Sequence, residues 1–333
     1  MPPRPPFRLI TPTIRLATRR AYSSDAATGP LIQVVNLPAP NSGHIRVLEL
    51  NRPAARNAIS KALLAALRAE IDDVQSQYTA EGDEIPAQLR YGGAAGVDER
   101  GPTRALVLAS AVDTSFCAGA DLKERRGFTQ DETAQFLASL RGTFASLAAL
   151  PIPTISAISS LALGGGLELA LCTHFRVLAS TAIIGLPETR LGIIPGAGGT
   201  YRLPGLIGLP RARDLILTGR RVAAPEAYFI GIADRLVEVL PEDGEGPDKQ
   251  EPGTNIDKEL PTRARRAALA EAVRLATEIC EGGPIAVRAG LQAVNWAQDE
   301  VENAMYQRVV KSEDRNEALE AFKEKRKPVF KGR

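Results

Sequence analysis

The chain has 333 residues, with 41 lysines and arginines against 39 aspartates and glutamates and a net charge of +2, so it lacks the concentrated basic charge of a nucleic-acid binder and has room for one large domain or two small ones. Its three cysteines, Cys117, Cys172 and Cys280, form no paired motif and its two histidines, His44 and His174, are scattered, which argues against a disulfide framework and leaves little material for a metal site or a Ser-His-Asp triad. No apolar run reaches membrane-spanning length, so no membrane insertion is expected, and acid/base chemistry must fall to carboxylates.

Residues 1–28 carry Arg4, Arg8, Arg15, Arg19 and Arg20 among serines and threonines, with no acid before Asp25. This is the composition of a mitochondrial transit peptide, with processing expected near residues 20–23 and the matrix as destination; a basic tail without an address is the alternative. Residues 31–37 and 44–50 are alternating or β-branched runs around Pro-Ala-Pro-Asn-Ser-Gly and read as a hairpin. A loop over residues 51–57 leads into a helix on which Leu63, Leu64, Leu67, Ile71 and Val74 follow the 3.6 period. Residues 79–103 hold five glycines and no periodicity, which predicts an exposed, mobile insertion loop.

Residues 104–110 are an apolar run suited to a buried parallel strand. Ala118, Gly119 and Ala120 follow it, small enough for their backbone to meet a ligand, and Lys123 either neutralises a phosphate there or is simply solvated. Thr129-Gln130-Asp131-Glu132 is a capping box opening a helix with Phe136, Leu137, Leu140, Phe144 and Leu147 on one face. Pro151 and Pro153 end it. The next strand, Thr154–Ile158, delivers the chain to Gly164-Gly165-Gly166 and to Glu168, which stands among Leu167, Leu169, Ala170 and Leu171.

Three glycines at a helix start let a ligand approach N–H groups that have no helical partner, at the positive end of the helix dipole. Glu168 is then a catalytic carboxylate, or an acid that merely favours the dipole. After two strand-like pieces, over residues 175–178 and 182–185, Glu188 lies twenty positions beyond Glu168, again among apolar and glycine residues. It is either the second acid of a pair or one half of a buried ion pair with Arg190 or Arg202. Gly196 to Gly199 open a further helix. The remainder reads as helical over residues 210–217, 225–232, 263–279, 285–296 and 302–311, with a stripe of Leu269, Val273, Ala276 and Ile279. An acidic Gly/Pro-rich loop over residues 241–260 reads as disordered, and the basic end at 321–328 as solvated. Strand, helix and strand recur, so the class is α/β.

With both glutamates and both glycine loops in place, the sequence resembles the enoyl-CoA hydratase/isomerase (crotonase) family over roughly residues 31–333. Its motifs at 117–125, 161–171, 191–200 and 321–326 are most similar to the mitochondrial branch that hydrates 3-methylglutaconyl-CoA in leucine degradation, a branch also described as binding AU-rich RNA. The resemblance implies a spiral of ββα repeats over residues 29–210 and a helical trimerisation region over residues 211–333, assembling as a trimer or hexamer. It implies that backbone N–H groups of Ala120 and Gly165 form an oxyanion hole. Glu168 then activates a water and Glu188 supplies the proton at C2. Ala118, Gly119, Asp121 and Lys123 would contact CoA, and Phe322 and Lys325 would reach the CoA of a neighbouring subunit. No metal or cofactor is implied beyond the CoA of the substrate itself.

Two further readings stand beside this one: a broad short-chain enoyl-CoA hydratase of fatty-acid β-oxidation, and a non-catalytic RNA-binding protein on the same fold. RNA binding is not expected, because the helix over residues 59–78 carries only Lys61 and Arg68 against Glu70, Asp72 and Asp73. The chain departs from the family at Ser159-Ser160, where a glycine-containing pair is usual, and at Thr173-His174, which reads as repacking.

Overall fold

The computed structural model describes residues 29–86, 101–240 and 259–333. Residues 1–28, read above as a transit peptide, most of the 241–260 loop and residues 87–100 of the expected insertion lie outside the described residues. Strand β1 (Ile32–Pro38) pairs antiparallel with β2 (His44–Leu50), in register from Ile32 opposite Leu50 to Pro38 opposite His44. Helix α1 (Lys61–Gln75) begins at Ser60, whose Oγ accepts from the N–H of Leu63, and buries the five apolar positions that the period predicts.

The chain then repeats one unit. Strand β3 (Thr103–Ser110) is buried along its whole length and is followed by β4 (Ser115–Cys117) and two helices, α2 (Leu122–Arg125) and α3 (Gln130–Ala148). Strands β5 (Thr154–Ile158) and β6 (Leu161–Leu163) precede α4 (Gly165–Ala170). Strands β7 (Phe175–Ala179) and β8 (Ile183–Gly185) precede a 3-10 turn at Glu188–Leu191 and helices α5 (Gly199–Ile207) and α6 (Leu209–Thr218). Strand β9 (Arg221–Ala223), helix α7 (Ala224–Phe229) and strand β10 (Arg235–Val237) complete the winding. In each unit the first strand joins one sheet, of order β1-β2-β3-β5-β7-β10, and the second joins another, of order β4-β6-β8-β9. Apart from the β1-β2 and β8-β9 pairs every neighbour is parallel, and the result is the ββα spiral that the resemblance implies.

Helix α8 (Leu260–Cys280) covers one face of the larger sheet, and α9 (Pro284–Trp296), α10 (Asp299–Val310) and α11 (Glu313–Glu324) follow. No helix among the described residues is long and apolar enough to cross a membrane. The three cysteines are buried free thiols.

Four expectations are corrected. Residues beyond 210 are not purely helical, since β9 and β10 each extend a sheet there; three residues are too few for an alternation to be read. The buried face of α8 is formed by Ala264, Ala268, Ala272, Leu275 and Ala276, packed against Ile45, Val47, Val107, Ile155 and Val177, with Leu269, Val273 and Ile279 at its margins. Alanine lets the helix lie close on the sheet, and the larger side chains then flank the contact. The basic end at 321–328 is not merely solvated, since Arg326 pairs with Glu317 at 2.6 Å, and beyond it Asp314 on α11 accepts from the N–H groups of Lys331 (2.7 Å) and Gly332 (2.8 Å) and folds the terminus back.

The fourth concerns the insertion, whose first part, residues 79–86, is anchored rather than loose. Glu84 forms ion pairs with Arg104 of β3 and, at 2.5 Å, with Arg288 of α9. Asp83 pairs with Arg308, and the carbonyl of Gly82 accepts from Arg288 Nε at 3.0 Å. Both departures from the family pattern are accommodated. Neither Ser159 nor Ser160 takes a positive φ, and the Ser159 carbonyl accepts from Thr181 Oγ1 at 2.7 Å. His174 Nδ1 accepts from the N–H of Thr154 at 3.0 Å, and Thr173 Oγ1 bonds Ser156 Oγ at 3.0 Å.

Candidate active site

Strands β4, β6 and β8 lie side by side and parallel, and the chain that leaves each carboxyl end lines one cavity of about 630 Å³. From β4 come Ala118, Gly119 and Ala120, from β6 come Gly164 and Gly165, and from β8 comes Glu188. Glu168 enters from the first turn of α4. Six of the ten residues that the sequence assigns to the site therefore meet here, in the crevice where parallel strands end.

Backbone pairing decides which donors remain free. The N–H of Ile59 donates to the Gly119 carbonyl (2.7 Å), and the N–H of Asp121 donates to the Ile59 carbonyl (3.1 Å). This bridge consumes the groups on either side of Ala120, whose own N–H alternates to the other side and has no acceptor among the described residues. Gly165 is the first residue of α4, and its N–H likewise has no helical partner. The two peptides are close: a Cβ placed on Gly165 would stand 3.5 Å from the Ala120 nitrogen. Gly164, with φ 55° and ψ −127°, supplies the turn that an L side chain resists. A Cβ on Gly166 would stand 2.2 Å from the Cys117 carbonyl, so α4 sits against β4 only because that position is bare.

The loop into residues 118–121 is itself held by Asn57, fully buried and left-handed at φ 55°. Its side chain donates to Ser110 Oγ (2.8 Å) and the Phe116 carbonyl (3.0 Å) and accepts from the N–H of Arg52 (2.7 Å).

The two glutamates are buried, Glu168 at 2% exposure and Glu188 at 9%, and are treated differently. Glu168 Oε1 accepts from the N–H groups of Ala197 (2.7 Å) and Gly199 (2.9 Å) at the start of α5. Burial raises its pKa, against the opposing pull of these two N–H groups and of Arg202 and Arg141. Glu188 Oε2 is buried and has no hydrogen-bond partner. Burial pushes its pKa up to about 7, its own backbone N–H opposes that, and the Glu168 charge adds to it. The buried ion pair considered for Glu188 is absent: Arg190 donates to the Thr218 carbonyl and Arg202 to the Ala197 carbonyl.

Alongside this cavity, and sharing Ala118, Ala120 and Leu122 with it, runs an open groove lined by Arg52, Ala55, Asp121 and Lys123. Lys123 is exposed at its edge. Asp121 is committed inside the protein, since Oδ1 caps α2 by accepting from the N–H groups of Lys123 and Glu124, and Oδ2 pairs with Arg52 at 2.7 Å. Its backbone is engaged as well, the N–H donating to the Ile59 carbonyl and the carbonyl accepting from the N–H of Arg125 at 3.0 Å. Phe322 and Lys325 do not line the cavity or the groove; Phe322 is 85% exposed on α11 and Lys325 caps that helix in a left-handed conformation.

The sequence reading missed two contributions. The Gly196–Gly199 run was legible as a helix start, but that its N–H groups turn onto Glu168 depends on contacts made only in the folded chain. Arg125 and Arg141, both lining the cavity, stand on helices whose periodicity marks only their apolar positions.

A spiral of ββα repeats with paired glutamates beneath two free peptide N–H groups describes a class, and the chain belongs to it: the enoyl-CoA hydratase/isomerase family, which residues 97–244 match. Among its relatives is methylglutaconyl-CoA hydratase 1, mitochondrial, of Pyricularia oryzae, 68% identical over 99% of this chain and 95% of that protein. The mouse methylglutaconyl-CoA hydratase, mitochondrial, is 38% identical over 95% of this chain and 88% of its own length. The crystal structure of an enoyl-CoA hydratase from Bacillus anthracis superposes with a TM-score of 0.72 at 35% identity, covering 91% of this chain and all of that one.

Proposed function

We propose that the protein is a mitochondrial-matrix hydratase that adds water across the C2=C3 bond of a 2-enoyl-CoA thioester, with 3-methylglutaconyl-CoA as substrate and 3-hydroxy-3-methylglutaryl-CoA as product. The observation that carries this reading is the pair of buried glutamates, unpaired by any arginine, in one cavity with the free N–H groups of Ala120 and Gly165. The word mitochondrial in the names of relatives, and the arginine-rich residues 1–28, support the location.

In this reading the thioester carbonyl accepts from the Ala120 and Gly165 N–H groups. Electron density drawn to that oxygen makes C3 electrophilic and stabilises the enolate-like transition state, a contribution of ~3 kcal/mol per donor. Glu168, fixed through Oε1 by two N–H groups, keeps Oε2 to take a proton from the water whose oxygen bonds to C3. Glu188, its pKa raised to about 7, is protonated near neutrality and delivers its proton to C2. Water is the only species consumed, and the pair regains its starting state when the proton taken by Glu168 passes to Glu188; the two titrate as a unit.

Lys123 at the groove's edge meets the phosphates of CoA, with Phe322 and Lys325 of a neighbouring subunit closing the site. Phe229, Phe322 and Trp296, exposed by 82%, 85% and 67% on α7, α11 and α9, are the kind of surface that such self-association covers. The reading includes no RNA surface: on α1, Arg68 pairs with Asp72, while Glu70 and Asp73 pair with Arg46.

The test is steady-state hydration of 3-methylglutaconyl-CoA and crotonyl-CoA in parallel, by the chain and by Glu168→Gln and Glu188→Gln. The expected outcome is a preference for 3-methylglutaconyl-CoA that both substitutions abolish together with the activity. A preference for crotonyl-CoA would move the protein to fatty-acid β-oxidation, and activity surviving in both variants would remove the two-glutamate mechanism.

A further inference from the structure

The cavity that holds the glutamates also holds two cations, and their situations differ. Arg141 of α3 is tied down: its Nε donates to the Gly196 carbonyl at 2.6 Å, steadying the loop whose next residues bind Glu168. Arg125, the last residue of α2, is half-buried and lines the cavity. Its guanidinium stands over the Phe136 ring at 5.9 Å and has no carboxylate or carbonyl partner among the described residues. Three acids close to it in sequence are engaged elsewhere. Asp121 pairs with Arg52, Glu124 accepts from the N–H of Lys61, and Glu132 closes the capping box of α3.

Leu137, Leu140, Leu191, Ile193 and Ile194 give the same cavity an apolar wall. A cation partly removed from water and given no counter-ion is costly, and in a ligand cavity the natural counter-ion is part of the ligand. The fork of a guanidinium matches a carboxylate in two parallel hydrogen bonds, and a ring beneath it holds its plane.

We infer that Arg125 is the specificity-determining residue of the cavity, receiving the carboxylate at the far end of a dicarboxylic acyl chain while the thioester end lies at the Ala120 and Gly165 N–H groups. The inference rests on the hydratase reading and names what makes that site select its substrate. A neutral acyl chain leaves the guanidinium unpaired, and such a mismatch at a polar site discriminates strongly. Arg141 is a positioning residue for the Glu168 loop, since its Nε is held by the Gly196 carbonyl.

Binding of glutaryl-CoA and butyryl-CoA to the full chain tests this, because neither has a double bond to hydrate. Calorimetric Kd values should favour glutaryl-CoA by roughly 10- to 100-fold. Arg125→Met should bring that ratio close to one, and Arg125→Lys should restore part of it. A wild-type ratio near one, or a ratio unchanged in Arg125→Met, overturns the inference, as does an equal weakening of both ligands. Hydration rates separate its failure from that of the proposed substrate. A chain that binds glutaryl-CoA preferentially through Arg125 yet hydrates crotonyl-CoA faster supports Arg125 and removes 3-methylglutaconyl-CoA. A chain that prefers 3-methylglutaconyl-CoA with the binding ratio intact in Arg125→Met does the reverse.

Discussion

Glu84 and Glu188 are both carried into the protein by irregular chain, yet their surroundings are opposite. Glu84 stands between the guanidinium groups of Arg104 and Arg288, two side chains that are themselves 5% and 4% exposed. Glu188 has no cation, one oxygen without a partner, and a second carboxylate near enough to raise its pKa. The first arrangement joins β3 and α9 through residues 79–86 and is architectural. The second has no such compensation, and a carboxylate left in that state is what the proposed proton transfer to C2 requires.

Removing the charge from each should separate the two roles. The largest effect is on rate: Glu168→Gln and Glu188→Gln should each lower kcat by about 10²- to 10⁴-fold, the range for a lost general acid or base, with a circular dichroism spectrum unchanged. Glu84→Gln should leave kcat intact in the folded protein but cost about 3 kcal/mol of stability in urea titration, because two buried arginines lose their partner. A wild-type urea midpoint in that variant would break the comparison.

The smallest effect sharpens it. Because folding raises the pKa of Glu188 from 4.5 to about 7, the folded state binds that proton more tightly than the unfolded chain. Its contribution to stability is full below about 4.5 and is lost as pH rises through about 7. Glu188→Gln should therefore be as stable as wild type at pH 4 and more stable at pH 8 by roughly 1 to 3 kcal/mol. A variant less stable than wild type at pH 8 would mean that Glu188 has a cationic partner after all.

Much of this was legible in the sequence, for physical reasons. Buried strands and amphipathic helices write their periods into eight or more residues, as β3 and α1 do. The glycine run at 164–166 identifies a helix start that must be approached closely, and Glu168 and Glu188 stand out because acids are rare in apolar company. What stayed hidden is what depends on distant partners. Strands β9 and β10 are three residues each and exist because a sheet edge awaits them. The Ala197 N–H meets Glu168 across 29 positions. Glu84 looks like any loop acid until Arg104 and Arg288 converge on it, and Arg125 is one arginine among many until the acids beside it are seen to be engaged.

The cavity is assembled from the ends of three strands of three residues each, in a sheet whose fourth member, β9, arrives only at residues 221–223. None of these strands persists alone, and their pairing closes long loops, the slow part of folding. Chemistry is thus the last property the chain acquires. A nascent chain still short of residue 223 should therefore show no turnover. On dilution from denaturant, hydratase turnover should return after the helical signal of α3 and α8, making activity a clock for the closing of the spiral.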